Sequence, residues 1–324
     1  MALTILIAAT AAYDPVAVEP AGDQLDLVVV DGDRDREIPV LVYLPSDHGA
    51  QPVVLFSHGM GGSRRAATYL GEHWAGRGYV AVFLQHPGSD EGIWRDLPLR
   101  ERRAALISAA TGQQFRARTE DVTAVLNQLS GWGVKAGHPL RGRLDLDRVG
   151  MSGHSFGART TQIVSGQTMP FGRPDPSFDR IRAAVIFSPS PPGRGSAERA
   201  FGGVTKPWLI VTGTDDNDSG LGRGTPAEDR RKVYPALPDT ATKYELVLDG
   251  AEHSAFVDSR RPSAANDRNP NHHRAIRAIT TAFWDAHLRS DESAREWLNG
   301  DGPRGILEPD DVWQKNVLED LPAE

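Results

Sequence analysis

Apolar residues recur along this chain in two rhythms. Residues 25–30 and 38–44 alternate apolar and polar and flank Asp31-Gly32-Asp33, which predicts a β-hairpin. Residues 53–57, 80–84, 148–152, 183–187, 208–212 and 244–248 are short runs dominated by apolar side chains, the pattern of strands covered on both faces. Helical spacing lies between and after them. It predicts helices over 64–76, over 120–129 with Val122, Val125, Leu126 and Leu129 on one face, over 158–164, and over 273–288 with Ile276, Ile279, Phe283 and Trp284 aligned. A hairpin followed by strand–helix alternation predicts an α/β fold: a mostly parallel central sheet, an N-terminal antiparallel hairpin and helices on both faces. The chain divides into an N-terminal arm or export-signal remnant (1–24), an α/β domain (25–290) and a helical extension packed on it (291–324).

Composition narrows the possibilities. A hydrophobic share of 39% over 324 residues fits a globular chain with one large core. The net charge of −7 is spread among interspersed acids and bases, with no basic stripe, so nucleic acid is not an expected partner. The absence of cysteine removes disulfides, thiolate nucleophiles and cysteine-ligated metals together. Residues 2–12 are apolar, and Ala9-Thr10-Ala11 resembles a small-residue cleavage site, but no basic segment precedes them. The reading leans toward export, with the cytoplasm as the other possibility. No run is long enough for stable membrane insertion. Nothing in the sequence fixes the oligomeric state.

The chemistry centres on Gly153-His154-Ser155-Phe156-Gly157, a G-x-S-x-G pattern between a predicted strand and a predicted helix. A serine at such a strained turn needs neighbours without Cβ atoms, and the turn leaves amide N–H groups facing an incoming oxyanion. The pattern alone arises by chance too readily to carry weight, so its surroundings decide. A serine hydroxyl needs a base, and the base needs an anionic orienter. In a parallel sheet such groups emerge past the C-terminal ends of strands. Asp216 follows the 208–212 strand and His253 follows the 244–248 strand, giving the order serine, acid, histidine. Asp215 and Asp218 share the acid's loop and are its competitors; Asp216 fits the G-x-x-D phase best. Upstream, Ser57-His58-Gly59-Met60-Gly61-Gly62 follows a strand and can present the Met60 amide, with the Phe156 amide as second donor.

These motifs resemble the α/β-hydrolase superfamily over roughly residues 25–290, and within it the bacterial dienelactone-hydrolase-like and platelet-activating-factor-acetylhydrolase-like serine esterases. The resemblance is carried by residues 57–62, Gly78-Tyr79-Val80, residues 85–90, residues 121–126 and the Ser155 elbow. It implies a serine ester hydrolase with Ser155, His253 and Asp216 as catalytic residues and oxyanion donors at Met60 and Phe156. The acetylhydrolases carry their acid after the strand that here reads 183–187. This chain has Ser188-Pro189-Ser190 there, so the acid has to come from the next strand, as in the cutinase-like and dienelactone-type members.

The expected activity is therefore carboxylic ester hydrolysis through an acyl-enzyme, on small-molecule or polymeric esters, with no cofactor and no metal. Lactone, thioester or amide hydrolysis with the same residues is the alternative, ahead of a polyester hydrolase or a non-catalytic binding protein. His154, Trp94 and Trp208 are candidates for the substrate cleft, and residues 89–114 for a lid or cleft wall. His58 and His86 are read as loop-holding histidines, and His272 and His273 as capping or solvated ones. The stretch from Asp215 to Gly220 superficially resembles a calcium loop, but Pro226 falls where its glutamate should be.

Overall fold

The computed structural model describes residues 12–169, 175–193, 195–218, 224–258 and 269–318. Most of the apolar N-terminal stretch, the centre of the 169–176 loop and the Ser219-Gly220 end of the calcium-like stretch lie outside the described residues. Strands β1 (Gln24–Asp31) and β2 (Arg36–Tyr43) form the predicted antiparallel hairpin, pairing Gln24 with Tyr43 through to Asp31 with Arg36. Its turn is one 3-10 turn over Gly32–Arg34, capped by the Asp31 side chain and closed by Asp35 at φ 47°.

Then come β3 (Gln51–Ser57), α1 (Thr68–Gly76), β4 (Val80–Leu84), α2 (Leu99–Ala109), α3 (Gly112–Val134), β5 (Leu144–His154), α4 (Phe156–Val164) and β6 (Ile181–Phe187). The chain continues through α5 (Ala197–Phe201), β7 (Trp208–Asp215), α6 (Ala227–Arg230), α7 (Val233–Ala236), β8 (Lys243–Glu252), α8 (Pro270–Leu288), α9 (Glu292–Asn299) and β9 (Val312–Asn316). Among the described residues these strands make one sheet in the order β1-β2-β4-β3-β5-β6-β7-β8-β9. The six strands from β4 to β8 in that order are parallel; β1, β2 and β9 run antiparallel to their neighbours.

The continuous apolar runs follow from double coverage. In β3, Val54 and Phe56 face the layer of α1 and α8, whereas Val53 and Leu55 face α3. Trp74 of α1 and Trp284 of α8 meet edge-to-face at 6.0 Å on the first side. Val122, Val125, Leu126 and Leu129 of α3 fill the second. The helix at 64–76 is shorter than its apolar spacing predicts, because residues 63–67 form turns and the Asp258 carboxylate accepts the Thr68 N–H where α1 begins. By contrast, α3 starts eight residues before the predicted 120–129 segment, capped by Thr111, whose hydroxyl accepts the Gln114 N–H.

The tail holds a strand as well as the expected helix. Helix α9 buries Ala294 and Leu298, and β9 pairs antiparallel with β8, stacking Trp313 on Tyr244 at 5.7 Å. Among the described residues, no helix is long and apolar enough to cross a membrane.

The strand order positions the site. After β3 the chain crosses to β4 on one side, then returns through α2 and α3 to β5 on the other. This reversal opens a crevice at the C-terminal ends of β3 and β5, where ligands bind in open parallel sheets.

Candidate active site

At the crevice, β5 ends at His154 and α4 begins at Phe156, leaving Ser155 alone between them. Its backbone sits at φ 57° and ψ −112°, a conformation that an L-residue adopts only when its surroundings force it. The flanking glycines show what forces it. A Cβ on Gly157 would lie 1.9 Å from the Ser57 carbonyl oxygen, and one on Gly153 would lie 2.5 Å from the Gly157 oxygen. The turn packs directly on the end of β3, and only glycine fits at both places.

The three groups expected to meet do meet. His253 Nε2 lies 2.9 Å from Ser155 Oγ, and His253 Nδ1 lies 2.6 Å from Asp216 Oδ1. Asp216 follows the end of β7 and is fully buried. Its other oxygen accepts the Thr212 hydroxyl at 2.8 Å, and Arg230 Nε approaches Oδ1 at 3.0 Å. Burial alone would raise this carboxyl's pKa. The His253 hydrogen bond and the Arg230 charge outweigh burial and hold it below the usual carboxylate range. An ionised Asp216 accepts from Nδ1–H, which leaves Nε2 free to accept the Ser155 proton. Asp215 is exposed. Asp218 lines the cleft, and His253 Nδ1 pairs with Asp216.

Arg230, on α6, is a residue the sequence reading missed. It is 1% exposed, and besides Asp216 it donates to the Ser188 and Pro189 carbonyls at 3.0 Å each. One guanidinium thus ties the loops after β6 and β7 together. Ser188, at the position where the acetylhydrolases carry their acid, is buried at φ 57°. Its hydroxyl lies against the Asp216 carboxylate without a well-formed hydrogen bond.

His154 lines the cleft, but its Nε2–H donates to the His253 carbonyl at 2.9 Å. It therefore anchors the histidine's backbone. Burial, with His253 beside it, pushes its pKa down to about 3, so the ring is neutral. Met60 lies in the turn over residues 58–62, and Phe156 is the first residue of α4, whose opening N–H groups have no intrahelical partners. Around Ser155 and His253 is a half-open cleft of about 180 Å³, bounded by Gly59–Gly62, Ala66, His154, Asp218 and Val257.

No protein-family model matches the chain. The chain is 25% identical over 214 residues to Cutinase 1 of Thermobifida cellulosilytica and to a cutinase of Thermobifida fusca, covering 66% of this chain and 64% and 56% of those proteins. It is 22% identical over 235 residues to the platelet-activating factor acetylhydrolase of Cavia porcellus, covering 64% of this chain and 48% of that protein. The matches thus span less than two-thirds of these relatives' own length. The chain has the α/β-hydrolase fold.

The expectations for Trp208, Trp94 and the paired histidines need correcting. Trp208 is fully buried and packs edge-on against Phe201 in the core. It opens β7, so it sits at the opposite end of the strands from the crevice and cannot line it. His272 is buried and His273 half-buried: each points Nε2 at a backbone carbonyl, of Asp249 and Ala255, and His273 stacks on Tyr69 at 3.7 Å. Trp94 does not border the cleft either; its Nε1–H donates to the Gly61 carbonyl at 2.7 Å, bracing the 58–62 turn from outside. None of the residues bordering that cleft comes from 89–114. Among the described residues, no three His, Asp or Glu side chains gather as metal ligands would.

Five histidines are held neutral by burial. Their pKa values are pushed to about 4 for His73 and His86, about 3 for His154 and His287, and well below the ordinary value for His58. The unfolded chain takes up these protons near pH ~6.5, so the folded state binds fewer and stability grows with pH across this window. The contribution is complete above ~6.5 and drains as pH falls toward 4 and 3. Thermal unfolding should show a midpoint lower by several degrees at pH 5 than at pH 7.5. The low carboxyl pKa values of Asp121 and Asp216 act only in a more acidic window. A midpoint unchanged between these two pH values would mean that the histidines titrate normally in the folded protein.

Proposed function

We propose that this chain is a serine-dependent carboxylic ester hydrolase that works through an acyl-enzyme. The observation that carries the reading is the unbroken hydrogen-bond chain from Ser155 through His253 to Asp216, at 2.9 and 2.6 Å. Ser155 Oγ attacks the ester carbonyl while His253 Nε2 takes its proton. The oxygen of the tetrahedral intermediate is held by the Met60 and Phe156 amides, worth about 3 kcal/mol for each donor. The imidazolium, stabilised by Asp216, then protonates the departing alkoxide. Water enters by the same route in reverse, with His253 as base, and releases the acid and Ser155. The likeness to cutinases and to an acetylhydrolase, proteins named for ester cleavage, supports the same bond type.

The half-open, 180 Å³ cleft favours a short acyl chain at Ser155 with the alcohol portion reaching outward. That geometry, together with the cutinase likeness, also favours a second reading in which the alcohol portion belongs to a polymer. Two measurements test the proposal. An organophosphonate should form one covalent adduct, mapped to Ser155. Among p-nitrophenyl esters, acetate and butyrate should be cleaved much faster than palmitate. An inert Ser155 would remove the mechanism; equal rates for all chain lengths would remove the short-acyl reading.

A further inference from the structure

A buried arginine stands behind the oxyanion side of the cleft. Arg118, on α3, is 0% exposed. Removing a guanidinium from water costs several kcal/mol unless its donors are satisfied. Here its partners are not carboxylates. Nη1 donates to the His58 carbonyl at 2.6 Å, Nη2 reaches the Gly59 and Ser89 carbonyls at 3.3 Å, and Nε donates to the Ser89 hydroxyl at 2.8 Å. The guanidinium carbon also lies 4.6 Å from the centre of the Phe156 ring. One side chain therefore touches both segments that bear the proposed oxyanion donors.

The Gly59 carbonyl belongs to the same rigid peptide plane as the Met60 N–H, and the two point in opposite directions. That carbonyl accepts the Gly62 N–H at 3.1 Å and His58 Nδ1–H at 2.6 Å, as well as the contact from Arg118. Three donors on one oxygen hold it toward the interior and turn the Met60 N–H outward. On the outer side, a Cβ at Gly59 would lie 3.4 Å from the Ser155 Cβ.

The tautomer of His58 is set from behind. The His86 N–H donates to His58 Nε2 at 3.1 Å, so the proton of the neutral ring sits on Nδ1. His86 is itself pinned: Nε2 accepts the Ser57 hydroxyl at 2.8 Å and Nδ1–H donates to Asp121 at 2.9 Å. Ser57, His86 and Asp121 repeat the arrangement of Ser155, His253 and Asp216, yet all three are fully buried, so no substrate reaches them. They form a brace, anchored by the Arg36 fork on Asp121 at 2.6 and 2.8 Å.

We propose that Arg118 is a positioning residue for ester hydrolysis, clamping the Gly59–Met60 peptide and the Phe156 side chain so that both amides converge on the developing oxyanion. The inference rests on the reading of those amides as the oxyanion donors. Arg118→Gln and Arg118→Lys test it, with p-nitrophenyl butyrate as substrate, a trifluoromethyl ketone as oxyanion-forming inhibitor and organophosphonate titration to count functional Ser155. Per titrated site, kcat should fall about 10- to 100-fold in the glutamine variant with KM nearly unchanged, because only the transition state carries the oxyanion. The inhibition constant for the ketone should rise by a similar factor, and lysine should restore part of both. A purely structural role would lower the titrated fraction while leaving kcat per site and the ketone affinity as in the wild type. That outcome in whichever variant folds would overturn the proposal. Wild-type protein that the organophosphonate does not label would instead overturn the serine-hydrolase reading beneath it.

Discussion

Replacing Ser155 by alanine is expected to lower kcat for ester hydrolysis by on the order of 10⁴- to 10⁶-fold, with the fold retained. The size follows from losing the group that forms the proposed covalent intermediate. What survives is water attack assisted by the remaining donors. The fold should survive because the half-buried Ser155 side chain contributes one hydrogen bond, to His253, and fills no part of the core. Its backbone strain is unchanged, since alanine meets the same penalty at φ 57°. Kinetics together with thermal unfolding check both halves of the expectation. Wild-type turnover in the variant would rule out Ser155 as nucleophile.

Asp216→Asn should cost about 10⁴-fold in kcat and, unlike the serine change, should also destabilise the protein. The amide keeps the shape of the carboxylate but loses its charge. It no longer enforces Nδ1–H on His253, and the imidazolium formed during the reaction loses its counter-charge. Arg230 loses as much. At 1% exposure it would remain buried beside a neutral group, and breaking a buried pair on one side costs about 3–5 kcal/mol. The unfolding midpoint should therefore fall in step with activity. A variant with unchanged kcat would point to another acid on the loop, such as Asp218.

The sheet was readable because each central strand is covered on both faces and so appears as a short apolar run. The pairing of Val53 to Ser57 with Val80 to Leu84 matches the predicted strand limits. Places where local pattern and tertiary partner disagree were less readable. β9 is polar at Gln314, Lys315 and Asn316, and it becomes a strand because β8 offers an open edge and Tyr244 a ring for Trp313. Trp208 looked like a cleft residue because aromatic side chains serve both cores and clefts; its position at the start of β7 was the informative detail. The hydrogen bonds of Ser155, His253 and Asp216 agree with the order of strand ends read from sequence. The arginines behind them were not anticipated, although Arg118 carried a signal. It precedes Val122, Val125 and Leu129 by four, seven and eleven residues, and so falls on the apolar stripe of α3. A charged residue on such a stripe needs buried partners. No comparable pattern marks Arg230, whose partners come from loops.

The crevice at the strand-order reversal has a consequence for how the protein comes into being. The turn at 58–62, the serine, the acid and the histidine are supplied by the ends of β3, β5, β7 and β8. Ser155 and His253 are 98 residues apart along the chain. Such distant contacts form only after much chain entropy has been lost, so they are late events in folding. A growing chain that has emerged only as far as β7 holds its serine hydroxyl with no base to activate it. On the proposed mechanism, hydrolytic power then switches on with the last parallel strand, and recovery of activity during refolding becomes a direct clock for the docking of β8 on β7.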